Sequence, residues 1–225
     1  MLKISGIDQR ALLFGGIIMQ KVAFVIDGWF MRKRIYQLKT FLYNGENIRK
    51  YCLKHLLKDD QLYRIFYYDT NPLSKKGHNP VSKKQVDFEK TSVAVQQIAL
   101  LESLRSTPNV ALRLGSFVWQ NNAWVLNQDR LKSLISKKIS IDDLDENDVK
   151  PAITQKGVDM KMGLDITPIA IKKLADKLVV ITGDSDVVPA LKLARREGMQ
   201  VLLDPLKAVT RPDLREHVDY LQTHV

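Results

Sequence analysis

Cysteine is nearly missing from this 225-residue chain: Cys52 stands alone, which excludes an internal disulfide and any cysteine-rich zinc site and suits a reducing cytoplasm. Its neighbours Tyr51, Leu53, Leu56 and Leu57 mark it as a buried structural thiol. Histidine is also sparse, since His55, His78, His217 and His224 are scattered without metal-ligand spacing, so neither an imidazole metal centre nor a histidine general base is expected. No apolar run is long enough to span a bilayer, because the stretch from Ala11 to Met19 is short and contains two glycines. Lys3 and Arg10 precede it as in a signal peptide, yet no small-residue cleavage site follows before Lys21, so no membrane attachment is expected. Residues 1–18 read as an N-terminal extension, with Met19 as an alternative start, and residues 19–225 as one domain. Acidic residues are outnumbered, 25 Asp and Glu against 35 Lys and Arg, and the net charge of +10 points to a polyanion such as nucleic acid as partner.

Against these absences stands an ordinary globular composition, 45% apolar and 27% charged, with no internal repeat or low-complexity segment. Four short apolar runs, Lys21–Ile26, Leu62–Tyr68, Lys177–Ile181 and Met199–Leu203, read as buried strands, and each stops at an acid: Asp27, Asp69, Asp184 just beyond Thr182-Gly183, and Asp204. Helical stretches fall between them at Glu46–Leu57, Ser82–Leu104, Ile169–Ala175 and Asp186–Glu197, the last closed by Gly198. Strands alternating with helices predict an α/β fold with a mostly parallel central sheet flanked by helices. Ala111–Val118 and Ala123–Leu126 flank Gln120-Asn121-Asn122 and read as an inserted β-hairpin, a candidate substrate-facing flap. The acidic run Asp142–Asp148 lacks the glycine that a calcium loop needs at its sixth position and reads as a solvated linker. Arg211–Tyr220 reads as a closing helix over about 211–221, and the sequence leaves open whether it packs on its own sheet or on a second subunit in a homodimer.

Carboxylates gathered beyond the carboxyl ends of parallel strands lie where such sheets bind ligands, and their mutual repulsion favours either proton uptake or a divalent cation. Asp27-Gly28 and Gly183-Asp184-Ser185-Asp186 supply three such acids. An N-cap role would explain Asp184 or Ser185 alone, not both acids together with Asp27. Asp159 follows no obvious strand and starts a short helix, where a cap and a ligand are equally natural; Asp165, six residues on, lies about 120° round that helix. Thr167-Pro168 suggests that a new helix begins there.

The segments Phe24-Val25-Ile26-Asp27-Gly28, Lys156-Gly157-Val158-Asp159 with Asp165 after it, and Thr182-Gly183-Asp184-Ser185-Asp186 before Val188-Pro189 together resemble the NYN domains (LabA-like) of the PIN-like nuclease superfamily. The resemblance runs from Lys21 to about Leu206 and implies a Rossmann-like, PIN-like sheet, Mg2+ or Mn2+ as cofactor, and ribonuclease activity on RNA. Carried across by position, Asp27, Asp159, Asp184 and Asp186 form the catalytic, metal-holding set, with Asp165 as a further ligand. Phe30 stands where the family often has Asn, which keeps open an inactive nucleic-acid-binding module of the same fold. Arg32, Lys33, Lys75, Lys76, Lys156 and Ser185 are the expected substrate contacts, with Trp29, Phe30 and Tyr36 able either to stack on bases or to pack the first helix. A phosphotransferase using Asp27 fits less well, since Trp29 occupies the place of the second Asp that a haloacid-dehalogenase site requires, and a toprim-type site begins with Glu on its first strand.

Overall fold

The computed structural model describes residues 19–225, so the extension expected over 1–18 lies outside the described residues. The chain runs β1 (Lys21–Asp27), α1 (Gly28–Leu38), α2 (Gly45–Leu53), β2 (Gln61–Thr70), β3 (Lys76–His78), β4 (Gln85–Asp87), α3 (Ser92–Arg105) and β5 (Val110–Leu126). It continues through α4 (Gln128–Ile135), β6 (Val149–Lys156), α5 (Val158–Ile171), β7 (Lys177–Ile181), α6 (Val188–Arg196), β8 (Gln200–Asp204), α7 (Pro212–Glu216) and β9 (Tyr220–Leu221). Seven strands form one sheet in the order β6-β5-β2-β1-β7-β8-β9, parallel throughout except for the β5–β6 pair.

The central strands are apolar at consecutive positions because both of their faces are covered. Val22, Phe24 and Ile26 pack with Met31, Ile35, Ile48 and Leu104 on one side, while Ala23 and Val25 pack with Met162, Ile166, Leu191 and Ala194 on the other. Cys52 is fully buried in the first of these cores, as its neighbours suggest. Burying these two faces is the main favourable term holding the sheet and helices together.

Several local expectations are corrected. The helix expected from Ser82 begins only at Ser92, because Asn79-Pro80 makes a turn in which the Asn79 side chain accepts from the N–H groups of Val81 (2.9 Å) and Ser82 (3.1 Å). Lys83 then takes a left-handed conformation (φ 60°), which a helix cannot contain. That segment instead forms the antiparallel β3–β4 hairpin. An inserted hairpin is therefore present, but at residues 76–87. The one expected at 111–126 is a single long strand, in which Asn121 and Asn122 (φ 49° and 53°) bulge out between Trp119 and Trp124 without reversing direction. Asp159 does follow a strand, β6, whose pairing with β5 was hidden by Pro151 and by polar residues typical of an edge. No helix restarts at Pro168: α5 runs through it, with Thr167 Oγ1 bonded back to the Gly163 carbonyl (2.9 Å). The closing helix spans only Pro212–Glu216, after which Tyr220–Leu221 adds a parallel strand beside β8 on the chain's own sheet. The acidic run is mostly exposed, as expected, and only its end is anchored: buried Asp148 accepts from Arg130 Nε (2.7 Å) and from the Asp145 N–H (3.0 Å).

Candidate metal centre

β1 lies between β2 on one side and β7 on the other, so the chain winds in opposite directions from the β1–β7 seam. At such a seam the connections leaving the two strands diverge and open a crevice beyond their carboxyl ends. Ile26 pairs with Ile181, which places Asp27 opposite Thr182 and directs the Thr182-Gly183-Asp184 turn into the crevice. Thr182 Oγ1 approaches Asp27 Oδ2 at 3.5 Å and accepts the Asp184 N–H at 3.1 Å, so this threonine links the two acidic segments. Asp184 Oδ1 in turn accepts the Asp186 N–H at 3.0 Å and fixes the short 3-10 turn Ser185–Val187 ahead of α6.

Across the crevice, Gly157 takes a left-handed conformation (φ 81°) that lets the chain turn from β6 straight into α5, putting Asp159 in the first helical turn. One carboxylate oxygen from each of Asp159, Asp184 and Asp186 falls within 4.8 Å of the others, and all three side chains are exposed. Asp27 lies deeper, lining a cleft of about 660 Å³ together with Asp159, Asp184, Phe30, Phe117 and Arg211. Burial raises the pKa of Asp27 to about 6; the Phe30 N–H bonded to its Oδ1 (3.0 Å) opposes this, while Asp159, Asp69 and Asp184 reinforce it. The pKa of Asp159 is raised by partial burial and then by the charges of Asp184 and Asp186. Asp27 and Asp159 therefore resist ionisation, first through burial and then through the neighbouring carboxylates, a strain that a cation would relieve.

The structure thus brings Asp159, Asp184 and Asp186 together and turns Asp27 toward the same cleft. Asp165 goes elsewhere: its Oδ2 accepts from both Tyr68 OH and Arg113 Nε at 2.7 Å, an ion pair on the outer flank of β2 and β5. The offset of about 120° between Asp159 and Asp165 on α5 is the reason. Arg32 and Lys33 line an adjoining 360 Å³ hollow with Trp29 and Tyr36, where the Lys33 ammonium sits 5.0 Å above the Trp29 ring. Phe30 packs against Gly183 so closely that a Cβ there would meet its ring at 2.5 Å. Lys75 and Lys76 sit on the β3–β4 hairpin, with Lys76 3.8 Å from Asp87. Lys156 ends β6, and Ser185 is partly buried in the turn after Asp184.

Sequence reasoning missed Phe117, Ile153, Gln155 and Arg211, all of which line the cleft. The first three share one face of the β5–β6 ribbon that overhangs the sheet beyond the last β2 pairing at Gly115. A β6 strand recognised in advance would have exposed that alternation; Arg211, just before α7, carried no signal beyond its charge.

The family model for the NYN domain matches residues 44–222, a span that includes Asp159, Asp184 and Asp186 and begins after Asp27. No curated protein matches the chain. Among solved structures, a protein of unknown function from Vibrio parahaemolyticus RIMD 2210633 is similar at 12% identity, covering 90% of this chain and 91% of that one with a TM-score of 0.47.

Proposed function

Since the chain belongs to the NYN domain family of PIN-like, nuclease-type domains, we propose that it is a divalent-metal-dependent ribonuclease working at the Asp27, Asp159, Asp184 and Asp186 cleft. The observation that carries this reading is the convergence of three exposed aspartates within 4.8 Å at the strand-order reversal. The donor set fits a hard cation, because every available ligand is a carboxylate oxygen, as Mg2+ and Mn2+ prefer, and no sulfur or imidazole stands among them. Such an ion, when bound, would lower the pKa of a water and neutralise charge on the reacting phosphate.

The chain's own groups have separable tasks. Asp159, Asp184 and Asp186 would hold the ion. Asp27, with Oδ1 taking the Phe30 N–H, offers Oδ2 as proton acceptor from within the cleft, the place of a general base. Arg211 inside the cleft and Arg32 and Lys33 beside it would contact the phosphates and offset the acids' repulsion of RNA.

One observation favours binding without turnover, namely Phe30, whose ring fills the space over Gly183 between the two acidic segments and offers no hydrogen bond to the site. Cleavage of a labelled single-stranded RNA pool in Mn2+, Mg2+ or EDTA separates these readings. Metal-dependent cleavage is expected, reduced more than about 100-fold in Asp184→Asn with the fold intact. The same variant is expected to be more stable than the natural chain in EDTA, because one repelling charge is gone. Salt-sensitive RNA retention without cleavage by either chain would assign the domain to binding alone.

A further inference from the structure

Next to the acidic cleft, behind a wall of Phe117 and Ile153 that lines both spaces, lies a cavity of about 220 Å³. Pro72, Leu73 and Phe88 are among its apolar lining residues, and Arg32, Thr91 and Gln97 are its polar ones. We propose that this cavity receives one unpaired nucleobase of the RNA strand whose backbone crosses the acidic cleft, so that the substrate is single-stranded. The proposal rests on reading that cleft as the place of phosphodiester hydrolysis.

Three observations support a base as occupant. The first is continuity: a nucleotide with its phosphate in the cleft has its base within reach of a cavity that shares two wall residues with it. The second is chemistry. Phe88 and Phe117 offer ring faces for stacking. The polar side can match the edge of a base: Gln97 is held by donating Nε2 to the Thr70 carbonyl (3.1 Å) and keeps its own carbonyl as an acceptor, while Arg32 supplies donors. Arg32 pairs with the buried Asp69 carboxylate at 3.7 Å, a contact longer than a hydrogen bond that leaves guanidinium N–H groups to face the cavity. The third is size, since the cavity is smaller than the roughly 300–1,000 Å³ clefts that enclose drug-sized ligands, as befits a single ring system.

The far side of the cavity is closely packed. Phe88 packs edge-on to Trp119 at 5.0 Å, Trp119 meets Trp124 at 5.9 Å, and Trp119 lies against Gly77, where a Cβ would come within 2.3 Å. The β3–β4 hairpin and the overhanging ribbon are thereby clamped together around the space. A base-paired nucleotide has both faces stacked and its edge engaged, so a duplex would have to unpair and unstack a base to fill the cavity, and a single strand enters at lower cost.

The test is anisotropy of a labelled single-stranded RNA with the full chain in EDTA, comparing the intact strand with strands that lack one base at successive positions. One position is expected at which base removal weakens binding about 5- to 100-fold. That step should vanish in Phe117→Ala and, as a second variant on an exposed loop, in Leu73→Ala, while the salt dependence of binding stays unchanged. Equal binding of every abasic strand, binding of the matching duplex as tight as the single strand, or no RNA binding by the natural chain would each overturn the proposal. Because the readout needs no metal or turnover, failure of the base cavity is told apart from failure of the nuclease reading. Unimpaired cleavage by Asp184→Asn in Mn2+ would refute that reading alone.

Discussion

At the end of β1 one carboxylate serves two purposes, since Asp27 caps α1 through the Phe30 N–H and shares the cleft with Asp159 and Asp184. Its pKa is raised to about 6, so the folded chain holds this proton more tightly than the unfolded chain does. The associated stability is fully present below about pH 3.8 and is lost as the pH rises through about 6. Over that interval the loss is at most about 3 kcal/mol. Asn cannot ionise but still caps a helix, so in EDTA Asp27→Asn should be more stable than the natural chain by up to about 2–3 kcal/mol at pH 8, with the advantage vanishing toward pH 4. Coincident thermal-unfolding profiles of the two chains across that range would contradict the shift. Asp165 behaves oppositely. Asp165→Asn breaks the contacts to Arg113 and Tyr68 and should cost about 1–2 kcal/mol of stability while cleavage stays within a few-fold of the natural chain; a loss as deep as that of Asp184→Asn would return Asp165 to the site. Asp27, Asp184 and Asp186 were legible because a strand's apolar run ended at them. Asp159 was legible only through its resemblance to a family segment, since nothing apolar enough to mark a strand precedes it.

Elements were legible where their signal is local. Lys177–Ile181 was read with its observed bounds because a strand buried on both faces needs an unbroken apolar run. Gly198 does close α6, at φ 85°, as a left-handed C-terminal glycine should. The errors cluster where a distant partner decides. The turn chemistry of Asn121-Asn122 predicts a hairpin within β5, but β6 pairs on both sides of the bulge and holds the strand in one direction. The start of α3 shifted ten residues because a side-chain turn at Asn79 overrode helix propensity. The join from β1 to α1 is tight in a way that no propensity shows: a Cβ on Gly28 would come within 2.6 Å of the buried Tyr67 ring, whose hydroxyl is bonded to Tyr43 at 2.9 Å. Gly28→Ala should therefore destabilise by about 1–3 kcal/mol, roughly 3–10 °C in thermal unfolding, by pushing that ring from the core. An unchanged midpoint would show that the ring can yield.

Across the whole molecule, a net charge of +10 coexists with a cleft lined by carboxylates, so long-range attraction of RNA has to come from basic groups around the acids. Arg32, Lys33 and Arg211 occupy that position. If each engages one phosphate, RNA affinity should fall with salt with a log–log slope of about −2, and Arg211→Ala should reduce the slope by about 0.7, as read from binding titrations at several salt concentrations. An unaltered slope would take Arg211 off the path of the strand. Among the described residues no helix is long and apolar enough to cross a membrane, in line with the lack of long apolar runs in the sequence. What the sequence determined by itself was the alternation of buried strands with helices and the acids that end those strands, because burial on both faces and the termination of a strand are written in consecutive residues. What only the tertiary structure decided was which acids meet, that Asp165 turns to Arg113 instead, and that Phe117 and Ile153 wall two cavities at once. Those outcomes depend on strand order and on the register between segments distant in the chain, and hydrophobic pattern specifies neither.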